Sequence, residues 1–228
     1  MGTLSIVATP IGNLADITFR AVETLKNADV IACEDTRVTA KLLQRFGIEK
    51  PLVIYHARSG KIASNRVLTL LGEGKHVALV TDAGTPGISD PGAELVREVR
   101  DRIGDEVRIE AIPGPAALTA ALSIAGIPCA DFVFLGFLPH KKGRETLFRE
   151  MAESSRTTVF YESPHRILKT LDSLVKVLPE DRLIATCREL TKIHESVVRG
   201  TATEVLASFT ANPDTVRGEF VVIVSPDR

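Results

Sequence analysis

Before residue 115, five apolar runs recur, "LSIVAT", "VIACED", "LVIYH", "HVALVTD" and "VRIEAIPG", and the stretches between them show three-to-four apolar spacing. Runs so short and so apolar read as strands buried on both faces. "FRAVETLKNA", "VTAKLLQRFG", "SNRVLTLLGEG" and "GAELVREVRDRIG" read as the intervening helices, mostly closed by glycine. Crossover helices between such strands predict a parallel sheet covered on both sides. Ligands of open parallel sheets bind at the carboxyl ends of the strands.

The pattern changes after the helical "AALTAALSIAG". "DFVFLGFLPHKKGR", "TTVFYES", the helical "HRILKTLDSLVKVL", "RLIATCREL", "ESVVRGT" and "EFVVIVSP" follow, and "RELTKIHESVVRGT" predicts one strand turned back antiparallel on another. The expected fold class is therefore α/β, as two α/β domains: a parallel open sheet in 1–113 and a mixed sheet in 114–228, divided near "IPGPAA". With 44% hydrophobic residues in 228, the chain needs no covalent staple.

Cys33, Cys129 and Cys187 are odd in number and lack C-x-x-C spacing, so neither a disulfide framework nor a zinc site is expected, and a reducing cytoplasm fits best. His56, His76 and His194 show no metal-ligand spacing, and no metal is expected. The N-terminus lacks a basic n-region, and no stretch approaches the roughly 18 apolar residues of a membrane span. Lys and Arg total 28 against 29 Asp and Glu, whereas a dedicated nucleic-acid domain is basic overall. Any phosphate contact must come from local clusters, of which "PHKKGR" and "RELTKIHE" are the candidates.

The loops after successive strands are "TPIGNLAD", "CEDTR", "TDAGTPGISDPG" and "PGPAA". The third puts three glycines, two prolines and two aspartates into positions 81–92, longer and stiffer than an ordinary βα turn. It holds no Lys or Arg and matches neither G-x-G-x-x-G nor the P-loop, so a neutral or zwitterionic ligand suits it better than a polyphosphate. Gly84 and Gly87 are expected to let that ligand approach the backbone, with Pro86 holding the shape.

In fixed order, "VATPIGNLADIT", "ACEDTR", "LVTDAGTPGISDPG", "IPGPAALTAAL", "GFLPHKKGR", "FYESPHRI" and "CRELTKIHE" resemble the tetrapyrrole (corrin/porphyrin) methylase superfamily. Within it they resemble the bacterial branch that methylates the 2′-hydroxyl of a cytidine in 16S ribosomal RNA. The resemblance implies S-adenosylmethionine in a cleft between two α/β domains, a homodimer, and the decoding region of the small ribosomal subunit as substrate. It places cofactor contacts at Pro10, Asp82, Ala83, Gly84, Thr85, Ile88, Ala116, Ala117 and Tyr161. The opening loop "TPIGNLAD" departs from the superfamily's Gly-Pro-Gly-Asp type, which points to the RNA branch. That branch's usual further C-terminal segment does not follow "EFVVIVSP".

Methyl transfer to a ribose hydroxyl needs in-line alignment and help in removing a weakly acidic proton. The candidate catalytic residues are Glu34 and Arg37 in "CEDTR", Glu162 in "FYES" and Glu189 in "REL"; Asp35 is equally a helix cap and a site residue. RNA phosphate contacts are expected at Lys141, Lys142, Arg144, Arg166 and Lys192. Two alternatives stand beside this reading: methylation of a tetrapyrrole or other small molecule, and a non-catalytic module that binds S-adenosylmethionine.

Overall fold

The apolar runs of the first half form β1 (Gly2–Val7), β2 (Val30–Cys33), β3 (Leu52–Ile54), β4 (His76–Leu79) and β5 (Val107–Ile112). The computed structural model describes residues 1–56 and 60–227. These five strands are all parallel, in the order β3-β2-β4-β1-β5, with Leu4 opposite both Val77 and Ile109. The two-residue period of a strand splits their side chains between two cores. Leu4, Ala32, Val77 and Leu79 pack on Val67, Leu68 and Leu71 of α3 (Gly60–Gly72) and on Leu95 and Val99 of α4 (Ala93–Arg102). Val7, Ile31, Cys33, Ala78 and Val80 face Ala21 and Leu25 of α1 (Phe19–Asn27) and Leu43 of α2 (Thr36–Arg45). Each such leucine stabilises the fold by about 1.5–3 kcal/mol relative to exposure, so polar residues at any of these positions would break the layer. Thr18 starts α1 by accepting from the Ala21 N–H at 3.1 Å, and Asp35 starts α2 by accepting from the Arg37 N–H at 2.8 Å.

The second half forms α5 (Ala117–Ile124), β6 (Phe132–Phe137), α6 (Arg144–Glu153), β7 (Thr157–Glu162), α7 (Ile167–Val177), β8 (Leu183–Arg188), β9 (Ser196–Thr201), α8 (Ala202–Ala211) and β10 (Phe220–Val224). Its sheet runs β6-β7-β10-β8-β9, parallel at β6–β7 and antiparallel at the other pairings. The expected turn-back is the β8–β9 pair, from Leu183 opposite Thr201 to Arg188 opposite Ser196. Phe160, Ile184, Phe220 and Val222 of this sheet carry Phe148 and Met151 of α6, Ile167, Leu171 and Leu174 of α7, and Val205 and Phe209 of α8. A reciprocal capping box between Thr201 and Glu204 opens α8 directly from the end of β9.

By its internal packing the chain divides into two units, Met1–Ala116 and Ala117–Arg228. Among the described residues no helix is long and apolar enough to cross a membrane. No group of three or more His, Cys, Asp or Glu among them is placed to hold a metal ion.

Candidate active site

At the carboxyl edge of the parallel sheet three loops are bonded to one another. Thr9 and Gly84 exchange backbone hydrogen bonds of 2.9 and 3.1 Å, the Thr9 hydroxyl donates to the Thr81 carbonyl at 3.1 Å, and the Thr85 hydroxyl donates to the Pro115 carbonyl at 3.0 Å. These bonds bring Pro10, Asp82, Ala83, Gly84, Thr85, Ile88 and Ala116 to one edge of the first unit. Gly84 has φ of +81°, and a Cβ there would meet Ile11 Cγ2 at 3.4 Å and the Pro115 oxygen at 3.9 Å. Its bare face is therefore turned toward neighbouring loops. The left-handed backbone by itself favours glycine at this position. Ser89 also has a positive φ, of 64°, without a glycine's freedom, a strained residue in a loop otherwise fixed by its bonds.

Carboxylates gather beside this loop because β2 and β4 are neighbours in the sheet. Asp82 Oδ1 accepts from the Asp35 N–H at 3.1 Å. Burial pushes the Glu34 carboxyl upward, the Asp82 charge adds to this, and a hydrogen bond from the Asp82 backbone opposes it. Asp90 rises to about 6, first through desolvation and then through the charges of Glu34 and Asp82. Asp35 is a helix cap: Arg37 binds its carboxylate through Nε at 3.0 Å and Nη2 at 2.5 Å and holds it down to about 2. The Arg37 guanidinium itself projects into solvent. No cation lies in positions 81–92. This edge thus offers carboxylates and carbonyls, a donor set suited to a sulfonium cation and unsuited to phosphates.

The remaining candidates lie in the second unit. Ala117 opens α5, and Tyr161, near the end of β7, makes edge contacts with Phe134 and Phe137 at 4.9 and 5.4 Å between ring centres. Glu162, expected as a base, is fully buried with both carboxylate oxygens occupied: Oε1 accepts from the Ser163 N–H at 2.8 Å and Arg166 Nε at 2.7 Å, Oε2 from Thr170 Oγ1 at 2.7 Å and Arg144 Nη2 at 3.2 Å. Arg144 and Arg166, expected as phosphate ligands, are therefore committed to an internal carboxylate. Arg144 is itself buried.

Glu189 and Lys192 are similarly committed. Lys192 Nζ binds Glu189 Oε1 and Glu219 Oε2, each at 2.8 Å, and the Glu189 carboxylate also accepts from the Glu219 N–H at 3.0 Å. Burial alone would raise the Glu189 carboxyl, but the Lys192 and Glu219 bonds outweigh it and hold the group below its ordinary value. For Lys192, burial works downward and the two carboxylates outweigh it upward. A carboxylate so held is a poor base, and an ammonium so neutralised attracts phosphate weakly. Lys141 and Lys142 are exposed.

Sequence reasoning did not single out Thr9, Asp90, the Pro115 carbonyl or Thr170. Asp90 lies inside the glycine-rich loop 81–92, where its proline neighbour was the only signal. Its proximity to Glu34 follows from strand order and leaves no trace in local sequence.

The family model described as tetrapyrrole (corrin/porphyrin) methylases matches residues 3–206, and the chain belongs to that family. Among curated relatives it is 45% identical to the ribosomal RNA small subunit methyltransferase I of Thermotoga maritima, covering 99% of each chain. It is 47% identical to the protein of the same name from Synechocystis, covering 99% of this chain and 79% of the relative. Among solved structures, the methyltransferase CobJ superposes with a TM-score of 0.72 at 20% identity, covering 99% of this chain and 95% of that one. Cobalt precorrin-4 methyltransferase, CbiF, gives 0.70 at 19%, covering 98% and 94%. At those identities the two structures share the fold.

Proposed function

We propose that the chain is an S-adenosylmethionine-dependent methyltransferase that methylates the 2′-hydroxyl of a cytidine in 16S ribosomal RNA. The observation that carries this reading is 45–47% identity, over 99% of the chain, to proteins named ribosomal RNA small subunit methyltransferase I. The carboxylates and carbonyls of the 81–92 loop, which contains no Lys or Arg, support the cofactor assignment, since a sulfonium is positive until its methyl leaves. When bound, S-adenosylmethionine supplies an electrophilic methyl group.

Pro10, Asp82, Ala83, Gly84, Thr85, Ile88 and Ala116 of the first unit are the residues assigned to hold the cofactor. In transfer the ribose oxygen gains the methyl and loses its proton. Of the expected acids, Glu34 suits that proton best, because burial raises its carboxyl while Glu162 and Glu189 are tied down by cationic donors. Arg37, exposed beside it in sequence, is assigned to the substrate. The protein acts in the cytoplasm as a homodimer, which light scattering of the purified chain tests directly.

The decisive experiment is transfer of labelled methyl to small ribosomal subunits lacking the modification, followed by mass spectrometry of the nucleosides. 2′-O-methylcytidine is the expected product. Absence of transfer by protein that binds the cofactor overturns the reading.

A further inference from the structure

The Glu162 cluster is an expensive way to fill a core. The Glu162 side chain is 0% exposed, that of Arg144 9% and that of Arg166 17%, and desolvating such charges often leaves an ion pair no more stabilising than apolar packing of the same volume. Its geometry has a second consequence. Arg166 Nη1 donates to the Leu138 carbonyl at 2.9 Å and Arg144 Nη1 to the Pro139 carbonyl at 3.1 Å, while the Arg144 N–H donates to the Lys141 carbonyl at 3.2 Å. One buried carboxylate thereby orients two guanidinium groups whose other ends grip consecutive carbonyls where β6 gives way to residues 139–143.

That segment carries exposed His140, Lys141 and Lys142 and ends at Gly143, whose φ of +83° turns the chain into α6. Residues 132–144 contain no acidic side chain. Two guanidinium groups against one carboxylate add a net positive charge beneath it. A phosphate-bearing strand is the ligand whose charge this surface complements, and the segment's fixed backbone limits the entropy lost on binding.

We propose that Glu162, through Arg144 and Arg166, is a positioning residue that fixes the 138–143 segment so that Lys141 and Lys142 meet the phosphates of the RNA substrate. This rests on the ribosomal RNA reading above. It assigns the buried arginines to substrate affinity at one remove and takes Glu162 out of the chemical step.

The test uses the full chain, small ribosomal subunits as substrate, and Glu162→Gln, which keeps shape and removes charge. Expected are a tenfold or greater rise in KM for the subunits, kcat and S-adenosylmethionine affinity within twofold of wild type, and faster amide exchange across 139–143. The salt dependence of RNA binding should flatten, by about one unit of slope for each phosphate the protein no longer neutralises. Combining Glu162→Gln with Lys141→Ala and Lys142→Ala should raise KM by less than the product of the separate effects. A folded Glu162→Gln protein with wild-type KM, or effects that multiply fully, would overturn the proposal. So would a fall in kcat at constant KM, which would make Glu162 itself catalytic. Should Glu162→Gln not fold, Arg144→Lys keeps the charge, loses the forked grip and is read by the same measurements. Wild-type protein that binds cofactor yet transfers nothing to the subunits instead sinks the ribosomal RNA reading, and that is seen before any variant is made.

Discussion

Thr9 and Gly84 bind each other through both backbone hydrogen bonds, joining the loop after β1 to the loop after β4 as a single antiparallel bridge. The bridge requires φ of +81° at Gly84, and left-handed backbone costs an ordinary L-residue about 1–2 kcal/mol. Gly84→Ala should lower stability by about that amount and weaken S-adenosylmethionine binding more than tenfold, because Asp82, Ala83 and Thr85 shift with the bridge. Calorimetric titration of the folded variant reads the second effect. Undiminished affinity would separate the loop from the cofactor.

Asp90 gives the fold a pH dependence of known sign. Its carboxyl rises from 3.8 to about 6 in the folded protein, so the folded state holds this proton more tightly than the unfolded chain does. The stability it contributes is complete below about pH 3.8 and lost as pH rises through about 6. Asp90→Asn should flatten the stability profile across that window and leave the protein more stable than wild type at pH 8. Glu34 is raised as well, so some slope persists. Denaturant unfolding at a series of pH values measures both, and an unchanged slope would mean that Asp90 keeps its ordinary carboxyl in solution.

The βα repetition was legible because each buried strand and its covering helix are adjacent in the chain, and the β8–β9 turn because both strands flank it. Strand order was not, since β4 lies between β1 and β2 for reasons of packing between distant segments. That insertion sets Asp82 and Asp90 near Glu34. Asp35 illustrates the same limit at smaller scale: cap and site residue read alike until the Arg37 N–H and guanidinium are seen to converge on it. Arg144 and Arg166 read as surface cations because nothing local marks Glu162 as their shared, buried partner. Burial of a charge is a property of the assembled core, whereas the exposure of Lys141 and Lys142 agrees with their setting among polar residues.

Gly218 is constrained twice. Its φ is +83°, and a Cβ built on it would overlap Glu189 Cδ and Oε1. Gly218→Ala should therefore expel the Glu189 carboxylate from its bonds with Lys192 and the Glu219 N–H. The expected loss is about 2–4 kcal/mol, from backbone strain together with the broken charged bonds. In a Glu189→Ala background the overlap disappears, and the same change should cost only the strain, about 1–2 kcal/mol. Equal costs in the two backgrounds would show that the side chain yields freely.

Arg37 separates chemistry from folding more cleanly than any buried candidate. Its side chain is 86% exposed, and an exposed ion pair with Asp35 contributes little to stability. Asp35 caps α2 through the Arg37 backbone N–H, which alanine retains. Arg37→Ala should thus leave cofactor affinity unchanged, let the Asp35 carboxyl rise from about 2 toward its ordinary value with only the small loss of stability at neutral pH that an exposed pair carries, and reduce methyl transfer to ribosomal RNA at least tenfold. Transfer assays on the variant, with the Asp35 titration followed by NMR, test both halves. If Asp35 titrates upward while transfer persists, the guanidinium serves only its surface pair, and the proton-handling site narrows to Glu34 and the carboxylates beside it.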